Sequence, residues 1–505
     1  MGRFSQICLY LLSLIWANGV QANVEPNSLF SDHMVLQRGV AVPVWGTAED
    51  GERITVSFNG QLQTTTAKEG KWMVQLKKME AGGPYVLTIQ GNNMVEITDV
   101  LVGEVWLCSG QSNMERQLGP RPPQKPIYDW EYEASLALYP SIRQYYVPEA
   151  FSAEKLTDRK SKWTVCDPET VRNFSAVGYF FARDLYKDLN VPIGILFSAY
   201  GGTEANHWAS REALETNPVL LEVLNNYDKA LHAFPAQLET FSSQYPSLYN
   251  QYLSDSAKAA YDNKPIPKKP VPPKNPAKGR LPGGLYNAMI YPLIPYAIKG
   301  VCWYQGENDN GKADIYASTL TTLINGWRND WREGDFPFLI VQIAPHKDMR
   351  PEIRNAQLQV VKNTKETALI VTTDCGDSAD IHPAFKQPVG QRLALAARAV
   401  AYGEKIEYSG PMIRSATIVD GNIELKFTHT ADGLKTSEGP LTGFSIAGPD
   451  GKFFPANATI SGKKVVLSHP SVHNPIHIRY GWSNVPHVNL VNSAGLPASP
   501  FRIDF

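Results

Sequence analysis

Short runs of alternating apolar and polar residues occupy the chain after residue 22. Four such runs, separated by turn residues, lie at 41–46, 54–60, 72–76 and 85–89. Alternation with a period of two predicts strands that bury one face, and Asn59-Gly60 is typical of a two-residue hairpin turn. We therefore expect a small β-sandwich domain over residues 23–102.

After Glu104 the pattern changes to continuous apolar runs that alternate with amphipathic stretches. The apolar runs lie at 193–197, 301–304, 338–343 and 369–373, and the amphipathic stretches at 175–189, 314–331 and 389–402. Buried strands alternating with helices are typical of a doubly wound parallel sheet, so we expect an α/β domain over 103–404. Residues 214–282 interrupt this order with a polar, helical arm and a Pro/Lys-rich loop. Short strand patterns resume in a further β domain over 405–505.

The first 22 residues differ from everything that follows. Arg3 precedes an apolar stretch at 7–17, and Val20-Gln21-Ala22 is a small-x-small cleavage pattern, which together predict a signal peptide and a secreted or periplasmic protein. No later stretch reaches the roughly 18 apolar residues of a membrane helix, so no membrane span is expected.

Charge and cysteine content narrow the function classes. With 48 Lys+Arg against 49 Asp+Glu the formal net charge is -1, which excludes a strongly basic nucleic-acid-binding protein. Four cysteines follow residue 22, namely Cys108, Cys166, Cys302 and Cys375. They are too few and scattered for a disulfide scaffold, and the two in apolar runs are expected to be buried thiols. Because the chain has neither CxxC nor HExxH spacing, no metal or cofactor is expected.

Ser112 lies where an apolar strand runs into a tight turn. The segment 103–115 reads GEVWLCSGQSNME, in which Gly110 can adopt the positive φ that such a turn needs. This arrangement would expose the serine hydroxyl near backbone N–H groups that can hold developing negative charge. A capping serine is the alternative interpretation of this motif taken alone.

His382 is the best candidate base for that serine, because it follows the strand predicted to end at Thr373 and has carboxylates nearby in sequence. Asp380 is the nearest acid and Asp377 the rival. Catalytic groups in open α/β sheets collect at the carboxyl ends of strands, and an Asp–His pair orients a general base. The triad requires a turn in this segment, which would bring one of these acids to the His382 ring.

Two other predicted strands end in polar segments. Gly201-Gly202 follow the strand ending at Phe197, and their backbone N–H groups can approach a substrate closely. Gln305 and Glu307 follow the strand 301–304, and the Gln305 amide can donate to an oxyanion. Ordinary turns are the alternative for each segment, but four polar clusters at four strand ends favour a site.

Several motifs together resemble a known family. They are GQSNM at 110–114, GGT at 201–203, LYNAM at 285–289, WYQGE at 303–307, DIHP at 380–383, RYGW at 479–482 and LPASP at 496–500. They resemble the sialate O-acetylesterase family of SGNH hydrolases over nearly the whole mature chain. The resemblance implies a flavodoxin-like three-layer α/β/α domain with flanking β domains, and metal-independent removal of acetyl esters from sugars.

The resemblance also implies roles for individual residues. Ser112 would be the nucleophile, His382 the base and Asp380 the orienting acid, although SGNH enzymes at large have two residues between the acid and the histidine where this chain has one. Oxyanion donors would be the Ser112 N–H, an N–H of Gly201 or Gly202, and Gln305, which stands where the general pattern has Asn. Candidate substrate-binding residues are Gln111, Asn113, His207, Glu307 and Arg354.

The expected function is therefore a serine esterase acting on O-acetylated sialic acid or another acetylated glycan. A sialate carboxylate would favour a basic partner, for which Arg116, Arg354 and Arg392 are candidates. The alternatives are an esterase for acetylated xylan or xyloglucan, a non-catalytic carbohydrate-binding protein, and a glycosidase that uses the carboxylates of Glu104 and Glu307.

Overall fold

A computed structural model describes residues 23–505; the predicted signal peptide lies outside the described residues. Residues 23–110 form eight strands. They are β1 (Glu25–Pro26), β2 (Val35–Gln37), β3 (Val42–Thr47), β4 (Arg53–Phe58), β5 (Gln61–Thr66), β6 (Lys71–Leu76), β7 (Gly82–Gln90) and β8 (Met94–Gly110). One sheet has the order β1-β3-β6, and in the other β4 pairs with β5 and β7, and β8 with β7 and β2. Asn59 and Gly60 form the predicted turn between β4 and β5, both with positive φ.

Strand β8 is 17 residues long and belongs to two parts of the molecule. Its first half pairs antiparallel with β7 and parallel with β2, whereas residues from Glu104 onwards pair with parallel strands of the central sheet. The position 102/103, where the sequence pattern changes, lies inside this unbroken strand. No flexible linker therefore separates the N-terminal strands from the central sheet.

The central sheet is completed by six further strands between residues 139 and 370. They are β9 (Tyr139–Tyr146), β10 (Trp163–Cys166), β11 (Ile193–Ala199), β12 (Gly300–Tyr304), β13 (Phe338–Val341) and β14 (Thr367–Ile370). The order is β10-β9-β11-β8-β12-β13-β14, and only β10 is antiparallel to its neighbour among these strands. The predicted strands are present, although β14 ends at Ile370, three residues before the predicted end.

Eight α-helices occur in residues 111–402. They are α1 (Ser112–Glu115), α2 (Trp130–Ser135), α3 (Ala176–Leu189), α4 (Arg211–Glu215), α5 (Leu221–Tyr261), α6 (Ala313–Trp331), α7 (Pro351–Asn363) and α8 (Gln387–Val400). The three helices predicted from amphipathic stretches are confirmed as α3, α6 and α8. Ser175 caps α3 as expected, since its hydroxyl accepts a hydrogen bond from the Gly178 N–H at 3.1 Å.

Successive residues of the central strands pack into two different buried clusters. Val105 and Leu107 of β8 share a cluster with residues of α6 and α7, whereas Trp106 and Cys108 share one with α3 and α8. Side chains of a strand alternate between faces, so helices cover both faces of this sheet. The protein is thus a mixed α/β structure with several sheets, and the near-continuous apolar strands in the sequence follow from burial on both sides. The four cysteines of the described chain are buried free thiols.

Helix α5 is the predicted arm. It has 41 residues, of which only Leu224 is buried, and a helix of that length extends for about 60 Å. The Pro/Lys-rich segment returns beside it, with the Lys269 ammonium 5.2 Å from the centre of the Tyr249 ring. Among residues 23–505 no helix is long and apolar enough to cross a membrane.

Residues 412–504 contain ten strands in three sheets. They are β15 (Met412–Val419), β16 (Asn422–Thr428), β17 (Leu434–Thr436), β18 (Phe444–Ala447), β19 (Phe454–Pro455), β20 (Asn457–Ser461), β21 (Lys464–Ser468), β22 (His477–Tyr480), β23 (Leu490–Asn492) and β24 (Phe501–Asp504). The sheet orders are β15-β16-β21-β20, β17-β23 and β19-β18-β22-β24. Side chains from the central part reach this region, as Gln342 donates a hydrogen bond to the Ser499 hydroxyl at 2.9 Å.

Gly110 ends β8 at a point where a side chain cannot fit. Its φ is +137°, and a Cβ there would lie 2.1 Å from the Tyr304 carbonyl oxygen of the adjacent strand. We predict that Gly110→Ala lowers the free energy of unfolding by more than the roughly 1–3 kcal/mol that an unfavourable backbone conformation costs alone, because β8 and β12 must also separate.

Urea unfolding followed by circular dichroism measures this difference. Gly60→Ala is the control, since Gly60 also has a positive φ, +74°, but nothing within 4 Å of its Cβ position. Equal losses in the two variants would contradict a steric role for the Tyr304 contact.

Candidate active site

Ser112 lies immediately after the turn that ends β8. The Gln111 N–H donates to the Tyr304 carbonyl oxygen at 3.0 Å, and Ser112 is then the first residue of the one-turn helix α1. Among the described residues, the Ser112 N–H donates to no protein acceptor. The strand therefore presents a half-buried hydroxyl next to an available backbone donor.

The His382 ring contacts the Ser112 hydroxyl directly. Its Nε2 atom lies 2.9 Å from Ser112 Oγ, although 270 residues separate the two in the chain. Ser112 follows the carboxyl end of β8 as the first residue of α1, and His382 lies in the loop after β14, with β12 and β13 between these two strands. This is the distance at which a histidine can accept a serine proton.

Asp380 is the carboxylate beside the imidazole. Its Oδ1 atom accepts the His382 backbone N–H at 2.9 Å and lies 3.8 Å from His382 Nδ1. The second distance is longer than a hydrogen bond. The Asp380 carboxylate thus fixes the turn that carries His382 and approaches the ring without a direct bond.

Asp377 has different partners. Its carboxylate pairs with Lys125 and accepts the backbone N–H groups of Ala379 at 2.9 Å and Asp380 at 3.3 Å. These contacts lower the Asp377 pKa, with the Lys125 hydrogen bond as the largest cause. Asp377 shapes the loop, and in the described chain the carboxylate in ion-pair range of His382 belongs to Asp380.

Gly201 and Gly202 form a loop after β11, called here the glycine loop, and this loop lies against Ser112. A Cβ on Gly201 would be 3.3 Å from Ser112 Cβ, and Gly202 has a φ of +66°. The loop is anchored by the Tyr200 N–H, which donates to the Gly110 carbonyl oxygen at 3.0 Å. Among residues 23–505 neither Gly201 nor Gly202 donates its N–H to a protein acceptor, so both amides remain available.

The structure places the amide of Gln305, the predicted oxyanion donor, on internal acceptors. Gln305 is fully buried, and its Nε2 donates to Asp309 Oδ2 at 2.6 Å and to the Thr203 carbonyl oxygen at 2.9 Å. A buried amide must satisfy both of its N–H groups, and here internal acceptors do so. Burial raises the Asp309 pKa to about 7. Gln305 therefore holds the end of the glycine loop.

Glu307, a predicted substrate-binding residue, is buried and binds the residues on both sides of Ser112. Its Oε2 accepts from the Gln111 Nε2 at 2.6 Å and its Oε1 from the Asn113 Nδ2 at 2.5 Å. Gln111 and Asn113, which were also predicted to bind substrate, are buried as well. Asn113 Nδ2 donates in addition to the Ile381 carbonyl oxygen at 3.0 Å, which joins the serine turn to the histidine loop.

Lys386 completes this network and was not found from the sequence. Its Nζ donates to the Asn113 side-chain oxygen and lies 5.2 Å from the centre of the Tyr304 ring. Lys386 is only 1% exposed, and this burial lowers its pKa to about 7, against the opposing effect of the Glu307 carboxylate. A lysine one residue before an amphipathic helix ordinarily faces solvent, so the sequence pattern contained no signal for it.

The three arginines proposed for substrate recognition bind acceptors within the protein. Arg354, a predicted substrate-binding residue, is fully buried and donates to the carbonyl oxygens of Ser483 at 2.9 Å and Asn484 at 2.7 Å. Arg116 donates to three backbone carbonyl oxygens, and Arg392 is paired with Asp374.

His207 is also structural. It is buried, and its Nδ1 accepts the Glu204 N–H at 3.1 Å in a capping arrangement. Burial lowers its pKa to about 4, so the ring is neutral at physiological pH. This capping role replaces the predicted contact with substrate.

The carboxylates of Glu104 and Glu307 cannot act as a glycosidase pair. Glu104 lies at the start of the central part of β8, bound to Gln37 and Arg38, whereas Glu307 binds Gln111 beyond the other end. Six residues of strand span about 20 Å, about twice the largest separation at which such a pair works. Within residues 23–505 no group of three or more His, Cys, Asp or Glu side chains is arranged to hold a metal ion.

The sialate O-acetylesterase of Rattus norvegicus is 31% identical to this chain over 94% of the chain and 93% of the rat protein. The chain belongs to the sialate O-acetylesterase family. It is a carboxylic ester hydrolase, as the sequence motifs predicted.

Other comparisons agree with this membership. The sialate O-acetylesterase of Homo sapiens is 30% identical, over 98% of this chain and 95% of the human protein. The family model described as carbohydrate esterase, sialic acid-specific acetylesterase, matches residues 279–399. A crystal structure of a carbohydrate acetylesterase from Xanthomonas citri covers 95% of this chain and 100% of its own, at 34% identity and a TM-score of 0.80.

The charge of Lys386 affects the proton affinity of His382. Burial is the largest cause that lowers the His382 pKa, and Lys386 is the next, with Asp380 opposing both and with smaller lowering effects from Arg121 and Arg116. A lowered pKa keeps the imidazole neutral to lower pH, so we predict that the acid limb of kcat/KM lies below pH 6.5 in this esterase.

Lys386→Met removes that positive charge and should move the acid limb to higher pH. The measurement is kcat/KM for 4-nitrophenyl acetate between about pH 5 and 8, with Lys362→Met, an exposed lysine of α7, as the control. An unmoved limb in Lys386→Met would show that Lys386 acts on the site only through packing.

Proposed function

We propose that the esterase uses Ser112 as its nucleophile and His382 as its general base. The observation that carries this proposal is the 2.9 Å contact between His382 Nε2 and Ser112 Oγ in a chain of this family. As His382 takes the hydroxyl proton, Oγ attacks the acetyl carbonyl carbon and forms a tetrahedral intermediate. The imidazolium then returns the proton to the departing sugar oxygen. The alcohol leaves and an acetyl-serine remains.

Water completes the cycle through the same groups. His382 removes a proton from a water molecule that attacks the acetyl-serine, and returning that proton to Ser112 Oγ releases acetate. We assign Asp380 as the orienting acid, because its carboxylate fixes the His382 backbone and lies nearest to Nδ1. The 3.8 Å gap to Nδ1 would close by a small movement of either side chain when the imidazolium forms.

The oxyanion of the intermediate requires donors that the protein leaves unused. We assign this role to the N–H of Ser112 and to those of the adjacent glycine loop, Gly201 and Gly202. They lie together at one edge of the sheet, and none of them donates to another described residue. Preorganised donors of this kind stabilise charge that develops only in the transition state.

We also propose that the central part is the three-layer α/β/α domain of the SGNH type, spanning residues 103–404, with β domains over 23–102 and 405–505. Helices on both faces of a parallel sheet and a site at the carboxyl ends of its strands support this architecture. The apolar segment and small-x-small pattern of residues 1–22 support export to the periplasm or exterior.

The substrate we propose is an O-acetylated sialic acid. The name of the rat and human relatives and the description of the matching family model support this choice. A second candidate is a neutral acetylated glycan such as xylan or xyloglucan. The similarity to the Xanthomonas citri enzyme, whose title specifies a carbohydrate acetylesterase, favours it.

Ser112→Ala tests the nucleophile. Loss of the attacking oxygen should lower kcat on 4-nitrophenyl acetate by about 10³-fold or more, since only binding and oxyanion stabilisation remain. Ser109→Ala is the matched control. Ser109 is buried in β8, three residues before Ser112, and its hydroxyl has no hydrogen-bond partner in the described structure.

Activity of Ser112→Ala at the wild-type level would refute the assignment. A phosphonate ester adds a second readout, since it should label the wild-type protein at Ser112. Absence of both labelling and hydrolysis in the wild type would favour a non-catalytic carbohydrate-binding protein.

The substrate class is tested by acetate release from O-acetylated N-acetylneuraminic acid and from acetylated xylan at equal acetyl concentration. We predict a higher kcat/KM for the acidic sugar. A preference for xylan would support the neutral glycan and contradict the sialate assignment, without affecting the role of Ser112.

A further inference from the structure

Arg280 places a guanidinium group on the glycine loop of the site. It lies near the end of the inserted segment 214–282 and directly precedes the buried Leu281. Its Nη1 donates to the Gly202 carbonyl oxygen and its Nη2 to the Gly201 carbonyl oxygen at 3.3 Å. A Cβ on Gly202 would lie only 3.1 Å from Nη1, so the group is in contact with the loop.

This guanidinium carries a charge that the protein does not neutralise. Arg280 is exposed, and among residues 23–505 no carboxylate lies within ion-pair distance of it. Arg121, which also affects His382, is paired with Glu115 at 2.5 Å. An arginine has five N–H donors, and the two contacts with the loop leave three without a protein acceptor in the described structure.

The position of this charge relative to Ser112 follows from the loop between them. Gly201 lies against Ser112, with 3.3 Å between its Cβ position and Ser112 Cβ, and Gly202 lies against Arg280. Ser112 and the Arg280 guanidinium therefore contact two consecutive residues of the same loop. Tyr200 is also close to Arg280, with 6.0 Å between the guanidinium carbon and the centre of the Tyr200 ring.

We propose that Arg280 binds the carboxylate of an acidic sugar ester and makes the esterase prefer such substrates. This proposal rests on the proposed sialate function and names the residue that would give it specificity. A guanidinium and a carboxylate form two parallel, charge-assisted hydrogen bonds. Arg116, Arg354 and Arg392 donate to acceptors in the interior, whereas Arg280 is exposed and has unused N–H donors in the described structure.

The test separates binding of the carboxylate from catalysis. N-Acetylneuraminic acid and its methyl ester, which differ by the negative charge and by one methyl group, are compared as competitive inhibitors of 4-nitrophenyl acetate hydrolysis. In the wild type the acid should bind more tightly than the methyl ester. Arg280→Gln should weaken the acid by about 10-fold or more and leave the ester unchanged.

Two further variants define the interpretation. Arg280→Lys keeps the charge but loses the two-pronged donor, so its inhibition by the acid should be intermediate. Arg414→Gln removes an exposed arginine of β15, remote in sequence from every site loop, and should behave as the wild type. The kcat of each variant on 4-nitrophenyl acetate is measured as well, because Arg280 also contacts the loop of Gly201 and Gly202.

Other outcomes would overturn the proposal. Equal weakening of the acid and the methyl ester, or a large loss of activity on 4-nitrophenyl acetate, would show that Arg280 only anchors the glycine loop. Equal affinities in the wild type and Arg280→Gln would show that it has no role in recognition. Failure of the proposed chemistry would instead appear as full activity of Ser112→Ala.

Discussion

The Glu307 carboxylate fixes the position of Ser112 by accepting hydrogen bonds from the residues on either side of it. Gln111 and Asn113 bind its two oxygens at 2.6 Å and 2.5 Å, so the backbone of Ser112 is held from both directions while its hydroxyl contacts His382. Asn113 carries the constraint further to the Ile381 carbonyl oxygen, next to His382. The Ser112–His382 distance therefore depends on two buried amide side chains and one buried carboxylate rather than on the loops alone.

Such a network is costly to bury. Desolvation raises the Glu307 pKa and lowers that of Lys386, so each charge by itself opposes folding. Their mutual attraction and the amide hydrogen bonds offset part of this cost. An apolar replacement of the network would have lower desolvation costs but would leave the flanking residues of Ser112 without defined positions. The arrangement is therefore explained by geometry at the site more than by stability.

The sequence predicted those parts of the protein that depend on local patterns. Alternation and apolar runs located the strands and three helices, and Ser112 and His382 stood out because strand-end turns place them. The internal partners of Gln305, Glu307 and Arg354 were not evident from the sequence, because a polar side chain near a site in sequence can point inward as readily as toward a ligand. Their acceptors, such as Asp309 and the carbonyl oxygens at 483–484, lie at distances along the chain that no periodicity relates. Lys386 and Arg280 gained significance only from three-dimensional neighbours.

The 17-residue strand β8 has a consequence for how the N-terminal strands matter to catalysis. β8 pairs with β7 and β2 at its start and ends at the turn before Ser112. Its register with β7 and β2 therefore fixes its register in the central sheet. A slip of one residue in the hairpin with β7 would turn every side chain of β8 to the opposite face and carry Ser112 away from His382. The pairing of β8 with β7 and β2 thus helps to set the position of Ser112, although β7 and β2 contain none of the proposed catalytic residues.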